Sequence, residues 1–282
     1  MHIETNQKIF SFELFPPKTE KGFEKMQQTV STLQALGPAY FSVTYGAGGS
    51  TQQRTFDTVD WLCSEKIVTA PHLSCIGSDQ DEIIEILEHY KSQRINRLVA
   101  LRGDLPSGVG LGGLGELSNA NQLVELVRET YGNYFHIEVA AYPEVHPQAV
   151  NAEEDLFFFK QKVNAGANSA ITQYFYNPDA YFRFVDDCRR VDVEIPIVPG
   201  IMPITNFIQL ARFSDGCGAE IPRWLRKRLE GFGDDLDAIR DYGAEIVTRL
   251  CERLLEGGAP GLHFYTMNQA VPTKTIWQNL GL

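Results

Sequence analysis

One feature constrains this chain more than any other: short apolar runs of strand length alternate with longer amphipathic stretches of helical period along its whole length. Strands are expected over Ile9–Phe15, Tyr40–Tyr45, Thr69–Ser74, Arg97–Leu101, His136–Ala141, Ser169–Phe175, Ile197–Ile201 and Leu262–Tyr265. Helical patterns fall between them, over Gly22–Leu36, Thr51–Ser64, Asp79–Gln93, Asn119–Tyr131, Glu153–Ala165, Pro178–Arg190, Asn206–Phe213 and Leu236–Leu255. Asp79 followed by Glu82 has the spacing of a capping box. About eight strand–helix units in a row, with no long linker, predict an α/β fold. Within that class they predict one (β/α)8 TIM barrel filling residues 1–282. A doubly wound open sheet alternates in the same way and is the other topology the count allows. The strands read as continuous Val, Ile, Phe and Ala runs, as parallel strands covered on both faces should.

Composition narrows the classes of function. The 282 residues, 43% hydrophobic, suffice for one large core. The formal charge of −11 and a pI near 5.0 argue against a nucleic-acid or anionic-membrane surface. Five cysteines (Cys63, Cys75, Cys188, Cys217, Cys251) are widely spaced with no C-x-x-C pair, which suits reduced core residues better than a disulfide frame or a zinc site. The N-terminal MHIETNQK lacks the apolar core of a signal peptide. The longest uncharged run, from Ile195 to Ala211, carries three prolines and is too short to span a bilayer. A soluble, cytoplasmic protein is expected. The stretch Gly108–Gly115 contains a formal G-x-G-x-x-G match, but Arg102–Ser107 separates it from its strand, so it reads as a loop over the barrel mouth.

In a barrel enzyme the chemical groups sit at the C-terminal ends of the strands. Here strand after strand ends in polar residues: Glu13, then Thr44-Tyr45-Gly46, His72, Arg102-Gly103-Asp104, Tyr142-Pro-Glu-Val-His146, Gln173 and Tyr265-Thr-Met-Asn268. Glu13 lies among aromatic residues, where a carboxylate must be paired or hold its proton. It reads as a general acid or as a salt bridge inside the barrel. Asp104 reads as a site carboxylate or as a turn partner of Arg102. His72 and His146 each adjoin a proline on strand-end segments and read as site or structural histidines. With no H-x-x-H spacing and no third ligand, no metal site is expected. Gln173 needs partners for its amide, and a ligand with hydrogen-bonding edges is one source of them. Phe207 opens the helix after strand seven, as core or as a stacking platform.

These residues lie in motifs that together resemble the methylenetetrahydrofolate reductase family. Phe12-Glu-Leu-Phe-Pro-Pro17, Ser42-Val-Thr-Tyr-Gly-Ala47, Ala70-Pro-His-Leu73 and Ala100-Leu-Arg-Gly-Asp-Leu-Pro106 carry the likeness in the first half. Ala141-Tyr-Pro-Glu-Val-His-Pro147, Ala165-Gly-Ala-Asn168, Ile171-Thr-Gln173, Pro199-Gly-Ile-Met-Pro203 and His263-Phe-Tyr-Thr266 continue it in order. Each motif is weak alone; the ordered set is specific.

The resemblance implies a (β/α)8 barrel with noncovalent FAD at its mouth, NADH or NADPH as hydride donor, and 5,10-methylenetetrahydrofolate as acceptor. The product, 5-methyltetrahydrofolate, would feed methionine synthesis. Glu13 matches the general acid that assists opening of the folate five-membered ring. Asp104 matches the carboxylate that holds the pterin and favours a cationic iminium near the flavin. Gln173 matches an amide shared by both substrates, Thr44 a residue beside the nicotinamide, and Phe207 an aromatic packing on either substrate. FAD contacts fall on Tyr45, Ala47, His72, Arg102, Gly103, Asp104, Tyr142, His146, Asp155 and Lys162, with Asp155 suited to a ribose and Lys162 to a phosphate. Gln269 stands where some bacterial relatives carry a folate-contacting Arg, so an ionic contact is not expected there. The likeness also implies a homo-oligomer. Since the chain stops at Leu282, the regulatory domain of the eukaryotic enzymes and inhibition by S-adenosylmethionine are not expected. Rival readings are another flavin-linked barrel such as a proline dehydrogenase, a flavin-free folate methyltransferase barrel, and a non-catalytic interaction barrel. The last leaves the polar strand ends unexplained.

Overall fold

The computed structural model describes residues 8–45, 49–103 and 115–282. Its strands are β1 (Ile9–Leu14), β2 (Tyr40–Val43), β3 (Thr69–Ser74), β4 (Arg97–Leu101), β5 (His136–Ala141), β6 (Ser169–Thr172), β7 (Ile197–Val198), β8 (Gly200–Ile201) and β9 (Gly261–Tyr265). All pair in parallel, in the order β7-β6-β5-β4-β3-β2-β1-β9-β8. The helices between them are α1 (Glu20–Gln34), α2 (Gly49–Ser64), α3 (Gln80–Ser92), α4 (Ala120–Tyr131), α5 (Ala152–Asn164) and α6 (Pro178–Arg190). After β8 come α7 (Phe207–Cys217), α8 (Arg223–Gly231), α9 (Leu236–Glu256) and α10 (Ala270–Asn279). Helix α8 is an addition to the expected pattern; it is short and charged, and only Leu225 and Leu229 are buried.

The expected seventh strand is split in two, and the split closes the barrel. Ile197 and Val198 pair with β6 on one side, while Gly200 and Ile201 pair with β9 on the other. Pro199 between them has no N–H to give, but its carbonyl accepts from His263 N at 3.0 Å. Only glycine fits at position 200, because a Cβ there would stand 2.2 Å from the Thr172 carbonyl oxygen. The sheet thus joins end to end through one strand, which resolves the choice between barrel and open sheet.

Capping follows the sequence signals. The Asp79 side chain accepts from Glu82 N and the Glu82 side chain from Asp79 N, a full capping box on α3. Asn151, Asn177 and Asn206 cap α5, α6 and α7 through their side chains.

The barrel is apolar on its outside and largely polar within, which corrects the expectation of uniformly apolar strands. Register partners in a parallel sheet face the same way, and residues two apart share a face. Ser11 and Glu13 therefore point inward with their partners Tyr40, Ser42, His263 and Tyr265. Arg97, His136, Glu138 and Ser169 continue that inner set around the lower part of the barrel. The alternating outward residues, including Phe12, Leu14, Phe41, Val43, Leu98, Val139, Leu262 and Phe264, are buried against the helices. That shell supplies the hydrophobic stabilisation, and the interior is left free to carry polar groups.

Candidate active site

The strand ends converge on three adjoining cavities at the C-terminal mouth. The central one, about 410 Å3, is lined by Glu13, Thr44, Tyr45, His72, Tyr142, Gln173, Tyr174, Met202, Phe213, Cys217, Tyr265 and Met267. A second, about 470 Å3, shares Leu101, Ala140 and Tyr142 with it and adds Arg102, Gly103, Gln148, His146, Asp155, Phe158 and Lys162. A third, about 310 Å3, shares Met202, Phe213 and Met267 and adds Phe15, Thr205, Gln209, Arg212 and Gln269. Together they form one groove across the barrel top, with a cationic end, a mainly apolar centre, and a further arm past β9.

Glu13 stands at the centre of the groove. Its Oε2 lies 3.4 Å from His72 Nε2 and 3.5 Å from His263 Nε2, so two imidazoles face the carboxyl. His72 is buried, and burial pulls its imidazole down to about 4 against the opposing pull of Glu13, with His263 adding to the lowering. His72 is therefore neutral at pH 7, and its Nε2 makes no hydrogen bond. The Glu13 carbonyl accepts from Thr266 Oγ1. Asn268 brackets Phe15, accepting from its N–H at 3.1 Å and donating to its carbonyl at 2.8 Å. Met267 and Asn268 both take φ of 51°, a costly backbone for non-glycine residues, and that turn carries Met267 and Gln269 to the groove.

Thr44 and Tyr45 follow β2 directly. Tyr45 accepts a hydrogen bond from Gln52 Nε2 at 2.8 Å, and burial raises its phenol above the ordinary value. Gln173 falls one residue beyond β6 rather than inside it, so its amide meets the cavity and is only half-buried; its Oε1 accepts from Tyr174 N at 3.0 Å. Tyr265 donates to the Thr172 carbonyl at 2.7 Å, and burial holds its phenol well above the usual range.

The second cavity has the donor set of an anion and sugar site. Lys162 donates to the Ala140 carbonyl at 2.6 Å, and burial pulls its amine down to about 8, opposed by Asp155. Asp155 Oδ2 accepts from His146 N at 2.9 Å, and burial raises its carboxyl. Arg102 donates through Nη2 to Gln148 Oε1 at 2.6 Å. Gly103 takes φ of 86°, and a Cβ there would stand 1.8 Å from Ser74 Oγ. The bare backbone lets β4 pass close over β3 at the cavity floor. Tyr142 and His146 meet edge-to-face at 4.5 Å.

The structure thus brings together Glu13, Thr44, Tyr45, His72, Arg102, Gly103, Tyr142, His146, Asp155, Lys162, Gln173 and Gln269. Ala47, Asp104 and the segment 108–114 lie outside the described residues. Phe207 does not line these three cavities: it is half-buried against the core, with the Arg226 guanidinium 5.9 Å from its ring centre. Phe213, further along the same helix, occupies the wall shared by the central and third cavities. Helical phase decides this and the first residue of a helix does not reveal it. The sequence reading also missed Ser11 and His263, which the period-two alternation of β1 and β9 could have flagged. Among the described residues no group of three or more His, Cys, Asp or Glu could hold a metal ion, and no helix is long and apolar enough to cross a membrane.

A closed parallel barrel with a carboxyl, two imidazoles, an amide and a cationic pocket at its C-terminal mouth defines a TIM-barrel enzyme. The family model described as methylenetetrahydrofolate reductase matches residues 1–281, and the chain belongs to that family. It is 39% identical to 5,10-methylenetetrahydrofolate reductase of Escherichia coli (strain K12) over 273 residues, 96% of this chain and 90% of that protein. It is 39% identical to a probable methylenetetrahydrofolate reductase (NADH) of Oryza sativa subsp. japonica over 97% of this chain, which spans about half (48%) of that longer relative. Among solved structures, an uncharacterized protein from Clostridium thermocellum that binds two copies of 5-methyl-5,6,7,8-tetrahydrofolic acid superposes with a TM-score of 0.65 at 19% identity. The match covers 97% of this chain and 94% of that one and shows the shared fold.

Proposed function

We propose that the protein reduces 5,10-methylenetetrahydrofolate to 5-methyltetrahydrofolate, with NADH or NADPH as hydride donor and FAD held noncovalently. The observation that carries this reading is the continuous groove with Glu13 at its centre and Arg102, Asp155 and Lys162 at one end. That end fits a flavin dinucleotide by the chemistry of its donors: two cations for phosphates, a carboxylate for ribose hydroxyls, and the Gly103 backbone for close approach. Tyr45, His72, Tyr142 and His146 would hold the remainder, with Ala47 and Asp104 as further contacts. Bound there, FAD supplies a two-electron relay between nicotinamide and the one-carbon unit.

The chain's own residues do the rest. Glu13 gives a proton to the folate ring nitrogen that leaves the methylene bridge, which frees the iminium for reduction. Asp104 favours that cation electrostatically. Gln173 presents its amide to either substrate in turn, Thr44 lies beside the nicotinamide, and Phe213 packs on whichever ring is present. Gln269 and Arg212 meet in the third cavity, where Arg212 offers a positive charge to an acidic substrate tail. Nicotinamide leaves before folate binds, a ping-pong order. We further read the protein as a cytoplasmic homo-oligomer that supplies methyl groups for methionine synthesis.

The absorbance spectrum of the purified protein tests this reading. Flavin bands that bleach on anaerobic addition of NADH and return with methylenetetrahydrofolate are expected. A colourless protein that takes up no added FAD would overturn it.

A further inference from the structure

A column of adjoining polar groups runs down the barrel axis from Glu13 to an ion pair near its N-terminal end. Glu138, 1% exposed, accepts from Arg97 Nη1 at 2.9 Å and from Ser169 Oγ at 3.2 Å through Oε1. Its Oε2 accepts from the Tyr40 hydroxyl at 2.7 Å. Ser11 is in register with Tyr40 on one side and His263 on the other, and all three face inward. Ser11 Oγ lies 2.7 Å from His263 Nδ1, and Tyr40, its register partner on β2, faces the same interior beside it. His263 is fully buried, and its Nε2 faces Glu13 Oε2 at 3.5 Å and Ser42 Oγ at 3.5 Å.

The direction of every link follows from its lower end. A carboxylate paired with Arg97 only accepts, so Tyr40 must donate downward to Glu138. With its proton committed to Glu138, the phenol oxygen is left to accept from its register neighbour Ser11, and Ser11 then accepts from His263 Nδ1–H. An uncharged imidazole with its proton on Nδ1 presents a bare lone pair on Nε2. We infer that the Arg97-anchored carboxylate of Glu138, acting through Tyr40 and Ser11, fixes His263 as the Nδ1–H tautomer, whose bare Nε2 presents an acceptor to the Glu13 carboxyl. Glu138 and Tyr40 are thus positioning residues for the acid at the mouth. The inference rests on the reading of Glu13 as a general acid, but the tautomer itself does not. His72 and Tyr265 also face Glu13, and Tyr265 interacts electrostatically with Tyr40 of the column as well.

Ring nitrogen shifts of the 15N-histidine-labelled full chain read the tautomer directly. Of six histidines, the His263 signals are identified by their loss in His263→Asn or, should that variant not fold, by their shift in Ser42→Ala. The expected result is a protonated Nδ1 and a bare Nε2. In Glu138→Gln, Arg97 holds the amide oxygen and turns the amide NH2 toward Tyr40, which reverses each donor and moves the proton to Nε2. Should that variant not fold for want of the ion pair, Tyr40→Phe keeps Arg97 and Glu138 paired, removes one link, and should give a mixture of tautomers. In Tyr40→Phe the folate half-reaction should slow while flavin reduction by NADH keeps its rate. A proton on Nε2 in the unaltered protein, or one tautomer unchanged in both variants, would overturn the inference. The expected tautomers together with equal losses in both half-reactions for Glu13→Gln would remove the general-acid role and leave the column's control of His263 standing.

Discussion

Glu13 and His72 approach to 3.4 Å between Oε2 and Nε2 without forming an ion pair at neutral pH, because burial keeps the imidazole uncharged. Its second neighbour, His263, is a buried imidazole 3.5 Å from the same oxygen. This carboxyl lines the central cavity, where a bound substrate can reach it.

Replacing Glu13 with Gln should therefore separate the two half-reactions. Hydride transfer from nicotinamide needs no proton donor at the folate, so bleaching by NADH should persist at its original rate. Folate reduction should fall by about 10²–10⁴-fold, the range for loss of a general acid. Stopped-flow absorbance of each half separates these, and equal losses would make Glu13 structural.

Phe213 and Phe207 should behave oppositely. Phe213 walls the central and third cavities, so Phe213→Ala should raise the Michaelis constants of both substrates, by about 5- to 10-fold for the loss of one stacking contact of 1 kcal/mol or more. Phe207 packs on the core instead, so Phe207→Ala should lower Tm and leave both constants unchanged. Steady-state kinetics beside thermal melts decide the pair; altered constants for Phe207→Ala alone would make Phe207 the stacking residue.

Gly103→Ala tests the close approach under the cationic cavity. Its φ of 86° costs roughly 1–2 kcal/mol for an alanine, and the new Cβ would meet Ser74 Oγ at 1.8 Å. FAD retention on purification should drop. Adding Ser74→Ala removes the hydroxyl but not the backbone strain, so the double variant should recover part of the loss, a non-additive result visible in a double-mutant cycle.

Glu144 should give the folded protein a pH dependence. Burial lifts its carboxyl from 4.5 to about 7; the Glu220 N–H it accepts opposes this and the Glu220 charge adds to it. Its other oxygen is buried with no hydrogen-bond partner. The folded chain thus binds this proton more tightly than the unfolded chain. Between pH 4.5 and 7 unfolding releases it, so its contribution is full below 4.5 and is lost as pH rises through 7. Glu144→Gln should flatten that slope and raise Tm at pH 8 relative to the unaltered protein, with little change at pH 5. Melting curves across this range check it; parallel curves for the two proteins would refute it.

The alternation of short apolar runs and amphipathic stretches specified the strands and most helices, because a period of two or 3.6 is a local property of the chain. β3, β4, β5 and α6 fall on the bounds read from sequence. The polar strand ends were legible for the same reason: position along a strand is local, and parallel strands share one mouth. Ser11 and His263 acquired their meaning only from register, which sets them side by side across 252 positions of sequence. The break at Pro199 that closes the ring, the turn of α7 that brings Phe213 rather than Phe207 to the groove, and the carboxylate column beneath Glu13 were decided by the tertiary structure. Each depends on which distant backbone lies within hydrogen-bond or packing distance, and no local pattern of residues encodes that.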